Sequence, residues 1–199
     1  MEGLSRFRPQ PDHRFTFLQG FLKRPKEVGS IIPSSRFLER EVVRTAISRD
    51  ARVLVELGPG TGGTTRAALR ALSSHAKLLA IEINPRFARL LRRTPDPRLV
   101  VHEGSASEIK LALAQHGLAA ADAILSGIPF STMSRSLGLE ILRSVHDALA
   151  PGGLFVAYQV RDRVEDLGRM VFGSPQVKTV MLNVPPMRIY RWYKREGTA

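Results

Sequence analysis

Downstream of Asp50, short apolar runs alternate with stretches of helical spacing. The runs 52–57, 78–83, 99–102, 123–126 and 154–160 are dominated by Val, Leu, Ile and Ala with little polar alternation, the texture of strands covered on both faces. Apolar residues recurring at helical intervals mark 64–72, 87–93, 106–115 and 137–149 between those runs. A strand and helix repeat of this kind predicts an α/β fold built on a mostly parallel, doubly wound sheet. In the last 25 residues the repeat stops. There 177–182 and 187–193 read as two strands turning at Pro185 and Pro186, an antiparallel hairpin at the sheet edge.

Upstream of the first strand, Phe37, Leu38, Val42, Val43 and Ile47 continue one helical face, and Ser34 and Ser35 after Pro33 stand where an N-cap belongs. The first 33 residues have another texture. Phe15, Leu18, Phe21 and Leu22 follow the i, i+3, i+6, i+7 spacing of one helix face within 13–24, with basic residues flanking it. Gly20 inside that helix costs about 1 kcal/mol relative to Ala, so the helix needs protein or lipid to pack on. The chain divides accordingly into a basic, aromatic amphipathic segment over 1–33 and an α/β domain over 34–199.

Composition narrows the chemistry. With 199 residues, 43% of them hydrophobic, the chain has the arithmetic of one soluble globular domain. It has no cysteine, which excludes disulfides, thiolate zinc sites and redox chemistry on sulfur, and its five histidines are too scattered for a metal site. The N-terminus lacks the apolar core of a signal peptide, and the expected location is cytoplasmic. A formal charge of +12 predicts a polyanionic partner, either nucleic acid or an anionic bilayer.

The first strand ends in Glu56, Leu57, Gly58, Pro59, Gly60, Thr61, Gly62 and Gly63, and a helix opens directly after. The second strand ends in Glu82, twenty residues beyond Gly62. Glycines let backbone approach a ligand closely, and an acid at the second strand's tip accepts both hydroxyls of a ribose, so the pattern predicts a nucleoside cofactor. Glu56 selects among such cofactors. A carboxylate beside the loop repels a pyrophosphate but attracts an ammonium and a sulfonium, which points to S-adenosylmethionine.

At Glu56–Gly62, at Glu82, and at Leu149-Ala-Pro-Gly-Gly153 before the fifth strand, the chain resembles the Rossmann-like class I S-adenosylmethionine-dependent methyltransferases. The likeness runs from Ser34 onward, and the terminal hairpin matches the last two strands of that seven-stranded fold. More narrowly, Lys26-Glu-Val-Gly-Ser-Ile-Ile-Pro-Ser-Ser-Arg36, Ala80-Ile-Glu-Ile-Asn-Pro-Arg-Phe-Ala-Arg-Leu-Leu91 and Ser126-Gly-Ile-Pro-Phe130 resemble the bacterial phospholipid N-methyltransferases, relatives of the ribosomal RNA adenine dimethylases. The RNA enzymes carry Asn-Leu/Pro-Pro-Tyr/Phe after strand four, where the Asn holds the adenine amine. Here Ser126, Gly127 and Ile128 precede Pro129 instead, and a hairpin stands where those enzymes continue into a helical RNA-gripping domain. A second departure is Ser105, between Gly104 and Ala106, where many members have an Asp.

The resemblance implies a cofactor site of Glu56, Gly58, Gly60, Thr61, Gly62, Glu82, Ile83, Ser105, Ala106 and Ser126. It implies that Ser126, the Gly127 and Ile128 carbonyls and Tyr158 orient an acceptor amine, with Pro129 and Gln159 lining the substrate side. Ser34, Ser35 and Arg36 would hold a lipid phosphate, or act as a plain N-cap. For Tyr158 the alternative is packing. His102 reads as structural, and Arg86, Arg89, Arg92, Arg93 and Arg98 as a solvated helix face or a phosphate-binding surface.

The implied activity is N-methylation of an aminolipid headgroup, phosphatidylethanolamine with its methylated derivatives or an ornithine lipid, by an enzyme bound peripherally to the inner face of the membrane. RNA adenine methylation is the alternative enzyme, and a non-catalytic basic binding module the alternative of another class. The lipid reaction needs a neutral amine. With a pKa near 10, only about one primary amine in a thousand is neutral at pH 7, a deficit of roughly 4 kcal/mol that desolvation and an adjacent sulfonium can offset. Glu82→Ala is expected to impair cofactor binding and to leave folding intact.

Overall fold

All five residues of β1 (Val53–Leu57) are buried, and β2 (Lys77–Glu82) is buried from Leu78 onward, because both strands are covered on both faces. The computed structural model describes residues 36–48, 50–181 and 185–195; the amphipathic pattern over 13–24, Ser34, Ser35 and Leu182 lie outside the described residues. The sheet is completed by β3 (Leu99–Glu103), β4 (Ala121–Ser126), β5 (Leu149–Gln159), β6 (Gln176–Val180) and β7 (Met187–Tyr193). Its seven strands lie in the order β3-β2-β1-β4-β5-β7-β6. The pairings among β1 to β5 are parallel, while β7 runs antiparallel to both β5 and β6. The expected α/β, Rossmann-like sheet with its antiparallel C-terminal hairpin is therefore present, with β7 inserted between β5 and β6.

Strand alternation divides the core between two helical layers. On one face Leu54, Leu78, Leu125 and Val156 pack with α1 (Arg36–Ala46) and α2 (Gly63–Ala71) through Leu38, Val42, Ala68 and Leu69. On the other, Val55, Leu79, Ile124 and Phe155 pack with α4 (Ile109–Gln115), α5 (Arg135–Ala148) and α6 (Arg163–Phe172). A short α3 (Pro85–Leu91) follows β2. Parity then sets where the polar residues go: Glu56, Glu82 and Tyr158 follow Leu54, Leu78 and Val156 to the α1–α2 face, whereas Ser126 and Gln159 follow Ile124 and Ala157 to the other.

Four features depart from the sequence expectation. β5 begins at Leu149, which pairs with Ala121, and a bulge between Ala121 and Ala123 takes up the extra residues. Leu149 to Gly153 is thus part of the strand, held by bonds of Gly152 N to Lys194 O at 3.0 Å and Lys194 N to Gly153 O at 2.8 Å. α6 is an element that the sequence expectation did not include, although its buried residues Val164, Leu167 and Gly168 follow the i, i+3, i+4 spacing of one helix face. It is recruited by tertiary packing: Gly168 leaves room for Trp192, whose indole Nε1 donates to Gly173 O at 3.0 Å. Phe37 lies off the buried α1 face and is 48% exposed. Finally, Arg98 is a helix cap and not part of a solvated face. Its guanidinium donates to Leu72 O at 2.8 Å and Leu69 O at 2.7 Å at the end of α2, and to Asp96, whose carboxyl it holds down to about 2.

His102 meets His116 edge-on at 5.6 Å, and burial together with that neighbour holds its pKa below the ordinary value, in keeping with a structural role.

Candidate active site

In a doubly wound sheet the ligand crevice lies beyond the carboxyl ends of the strands, where the strand order reverses; here that point falls between β1 and β4. The chain leaves β1 through Gly58, Gly60 and Gly62 at φ of +69°, +56° and +79°, a left-handed path that Gly follows without strain. Gly58 N donates to Ile81 O at 3.0 Å and Gly62 N to Pro59 O at 3.0 Å, which ties the loop to β2 and closes it on itself. Around Gly60 a Cβ would meet no atom within 4 Å, so the loop's middle borders open space. Thr61 is exposed, and its carbonyl accepts from Arg66 Nη1 at 2.9 Å.

Glu82 holds this loop. Its Oε2 accepts from Gly60 N at 2.9 Å and its Oε1 from Asn84 N at 2.8 Å. Burial raises its pKa, and the bonds from Asn84, Gly60 and Ile83 amides act against that rise. Ile83, partly buried, follows directly. Because the carboxylate satisfies two loop amides, Glu82→Ala should cost stability as well as any ligand contact, against the sequence expectation that folding would be spared.

Glu56 is fully buried at the end of β1. Its Oε2 accepts from Thr65 Oγ1 at 2.6 Å, and among the described residues Oε1 has no partner. Burial is the main cause that pushes its carboxyl from 4.5 to about 7, with Glu82 and Glu39 adding to it against the Thr65 hydrogen bond. Thr65 and Glu39 were not among the sequence candidates. Thr65 was signalled weakly, as a β-branched polar residue in the first turn after the loop. Glu39 had no local signal, because α1 brings its carboxylate against Gly63 from a distant part of the chain.

Across the crevice, the β4 end turns through Ser126, Gly127, Ile128 and Pro129. Gly127 N donates to Leu57 O at 3.1 Å, and the buried Ser126 Oγ accepts from Ile128 N at 3.3 Å. Two successive residues of β5 grip this loop from opposite faces. The Tyr158 hydroxyl lies 3.3 Å from Thr64 Oγ1 and covers Gly127 so closely that a side chain there would collide with it. Burial and the charge of Glu56 raise the phenol's pKa well above its ordinary value, so the hydroxyl stays neutral. Gln159 Nε2 donates to Ile128 O at 2.6 Å. Pro129 O accepts from Thr132 Oγ1 at 2.8 Å and opens the short turn Phe130–Thr132.

Of the remaining sequence candidates, Ser105 caps the turn Ala106–Glu108. Its Oγ accepts from Ser107 N at 3.2 Å while Glu108 Oε2 accepts from Ser105 N at 3.2 Å, and Ala106 is buried. Gly104 N donates to Glu82 O at 3.1 Å, so this turn sits beside the Glu82 tip. Arg36 is the exposed first residue of α1. The structure therefore brings Glu56, Glu82, Ser126, Gly127, Ile128, Tyr158 and Gln159 to one end of the sheet. Among the described residues no group of three or more His, Cys, Asp or Glu is arranged to hold a metal ion.

S-adenosylmethionine fits these residues. The unpartnered oxygen of Glu56 is a buried acceptor suited to a cation, each oxygen of Glu82 keeps lone pairs beyond the loop amide it accepts, and the space beside Gly60 admits a ligand against bare backbone. When bound, the cofactor supplies an electrophilic methyl group on a sulfonium.

No protein-family model matches the chain. Among solved structures it resembles the 1,6-didemethyltoxoflavin-N1-methyltransferase of Burkholderia thailandensis, bound to S-adenosylhomocysteine (TM-score 0.68, 16% identity, 96% of this chain and 93% of that one). It also resembles the O-methyltransferase TomG of Streptomyces achromogenes in complex with SAM (TM-score 0.65, 15% identity, 94% and 92%). At those identities the likeness is one of fold. In sequence the chain is 36% identical over 143 residues to an ornithine lipid N-methyltransferase of Singulisphaera acidiphila, covering 71% of this chain and 74% of that one. It is 39% identical over 82 residues and 32% identical over 145 residues to ribosomal RNA small subunit methyltransferases A of Laribacter hongkongensis and Kineococcus radiotolerans, but spans only 30% and 46% of their lengths.

The fold and the crevice define an S-adenosylmethionine-dependent methyltransferase of the Rossmann-like class. Within it, the relationship to the Singulisphaera enzyme decides the narrower question: the chain belongs to the bacterial phospholipid N-methyltransferase family, to which the ribosomal RNA adenine dimethylases are related.

Proposed function

We propose that the acceptor is the amine of a membrane aminolipid, phosphatidylethanolamine with its partly methylated derivatives or an ornithine lipid, and that the enzyme works peripherally at the inner face of the membrane. The observation that carries this reading is the β4 loop. Its side chains supply no amide to hold a flat base, since Ser126 Oγ is turned to Ile128 N and Gly127 has no side chain. What lies around it are carbonyls, the neutral Tyr158 hydroxyl and the Gln159 amide, whose Nε2 is engaged by Ile128 O, a set that accepts N–H bonds from a small, mobile alkylamine. The Ile128 carbonyl keeps a second lone pair beside the bond from Gln159. No strong base is needed if desolvation in the crevice lowers the amine's pKa and the loop aligns its lone pair. A relative that acts on ornithine lipid supports the same class of acceptor.

Membrane association is supported by the charge of +12 and by the amphipathic pattern over 13–24. Among the described residues no helix is long and apolar enough to cross a bilayer. In this reading Ser34, Ser35 and Arg36 contribute to anion binding at the start of α1, and Ser105 and Ala106 line the nucleoside end of the crevice. RNA methylation keeps support from the two ribosomal RNA enzymes. Incubating the protein with methyl-labelled cofactor and either a bacterial lipid extract or total RNA separates the two. The label is expected in methylated aminolipids; label in RNA alone overturns the proposal.

A further inference from the structure

Because β6 and β7 are antiparallel and β7 is antiparallel to β5, the end of β5, the end of β6 and the start of β7 all meet at the end of the sheet that holds the β4 loop. That convergence gathers an unusual set of side chains. Val160 and Met181, just past β5 and β6, are 37% and 70% exposed. Arg161, also exposed, follows Val160. Arg188 stands opposite Gln159 in the β5–β7 register, one strand away from the side chain that holds Ile128, and its own side chain is 47% exposed. Phe37, 48% exposed, belongs to the first turn of α1, whose Glu39 reaches Gly63 at the same end. Arg188 also meets the Tyr190 hydroxyl, and of the acids that face it Asp162 touches it only at 3.9 Å with 70% of its side chain exposed, while Glu165 is engaged by Arg169 at 2.7 Å, so the corner keeps its positive charge.

We propose that this β5–β7 corner is the surface on which the enzyme seats on an anionic phospholipid bilayer, with Val160, Met181 and Phe37 entering the acyl boundary and Arg161 and Arg188 among the headgroups. The inference rests on the aminolipid reading of the acceptor. Exposed apolar side chains interleaved with guanidiniums at the mouth match an interface that is apolar below and anionic above. Nucleic acid would use the arginines but would leave the apolar side chains in water. Seated this way, the β4 loop faces the headgroup layer, so a lipid amine reaches Gly127 without leaving the bilayer.

The test uses the full chain with vesicles of phosphatidylcholine alone or of equal parts phosphatidylcholine and phosphatidylglycerol. Arg161→Gln/Arg188→Gln should weaken co-sedimentation with the anionic vesicles by about thirty-fold, as expected for two arginines near an anionic surface. Val160→Asp/Met181→Asp should do so by at least about ten-fold at any salt concentration, since the apolar contribution is unscreened. Both variants should keep wild-type cofactor affinity by calorimetry and wild-type turnover of dihexanoyl phosphatidylethanolamine dispersed as monomers. Unchanged vesicle binding by both variants overturns the proposal. So does a wild-type chain that binds RNA through the arginine pair while ignoring the vesicles. A wild type that sediments with vesicles through this corner yet methylates neither monomeric phosphatidylethanolamine nor phosphatidylethanolamine or ornithine lipid added to those vesicles overturns the acceptor reading and leaves the docking surface standing.

Discussion

On the β1–β2 side of the crevice, two buried carboxylates are fixed by short bonds: Glu56 by Thr65 at 2.6 Å, and Glu82 by the Gly60 and Asn84 amides at 2.9 and 2.8 Å. On the β4–β5 side the fixing groups are neutral, the Tyr158 hydroxyl over Gly127 and the Gln159 amide on Ile128 O. The first side is a preorganised acidic cradle whose burial cost is offset in part by the Thr65, Gly60 and Asn84 bonds and which is suited to a cation. The second is an uncharged rim beside exposed arginines. Cofactor affinity and acceptor turnover should accordingly respond to different residues, and the sharpest experiments try to make them respond to the same one.

The largest expected effect comes from comparing two glycines, Gly60 beside open space and Gly127 under the Tyr158 hydroxyl. Gly60→Val fills the open space beside the loop and should lower cofactor affinity by about a hundred-fold or more, while the left-handed backbone costs the fold only about 1–2 kcal/mol. Gly127→Ala pushes against the Tyr158 hydroxyl. It should cut turnover by about ten-fold with cofactor affinity near wild type. Calorimetry and steady-state rates on both variants check this, and equal losses of affinity would erase the distinction between the two sides.

Next come the two anchoring side chains. Glu82→Ala should weaken cofactor binding through lost charge-assisted bonds of about 1.5–3 kcal/mol each, and should also lower the melting temperature because the Gly60 and Asn84 amides lose their acceptor. Gln159→Leu removes one bond to Ile128 O and should cost about 1 kcal/mol of stability with cofactor affinity unchanged. A Glu82→Ala protein that melts like wild type would show that the loop does not depend on this acid.

The effect of pH is smaller and has two opposite signs. In the fold the Glu56 carboxyl is raised from 4.5 to about 7, so the folded protein holds that proton more tightly than the unfolded chain. Stability from this group is highest below about pH 4.5, falls as pH rises to about 7, and is flat above. With the Glu56 carboxylate proposed to meet the cofactor's positive charge, cofactor binding should strengthen by about ten-fold from about pH 6 to pH 8 with release of a proton. Glu56→Gln should bind weakly with a flat profile. A wild-type affinity independent of pH across that window would remove Glu56 from contact with the cation.

The smallest change is expected for Tyr158→Phe, a few-fold drop in turnover at constant cofactor affinity, because the 3.3 Å contact with Thr64 is weak and the ring still packs. Wild-type turnover in that variant would assign the hydroxyl to packing. In the double variant Gly127→Ala/Tyr158→Phe the crowding is relieved, and part of the stability lost in Gly127→Ala should return.

Reading the chain alone was enough for the parallel sheet, the glycine loop and the acids Glu56 and Glu82, because each is written within a few residues: a period, a turn, or an acid at the tip of a strand. The same locality explains why Tyr158 and Gln159 could be chosen but their partners could not be named. Only the pleat of β5 sends one toward Thr64 and the other toward Ile128. α6 carries a local period at Val164, Leu167 and Gly168, and only its docking, with Gly168 against Trp192, was beyond local reading, while Arg98 looked like one more surface arginine until α2 ended beside it. Thr65 and Glu39 became parts of the site through α1 and α2 packing on one face of β1. The sequence by itself determined the elements and the chemistry of the loop, since propensity and spacing act over a single turn or strand. Which buried carboxylate oxygen was left without a partner, and which neutral side chain would hold the acceptor loop, was decided only when the strands took their register, because those contacts join residues that are strangers along the chain.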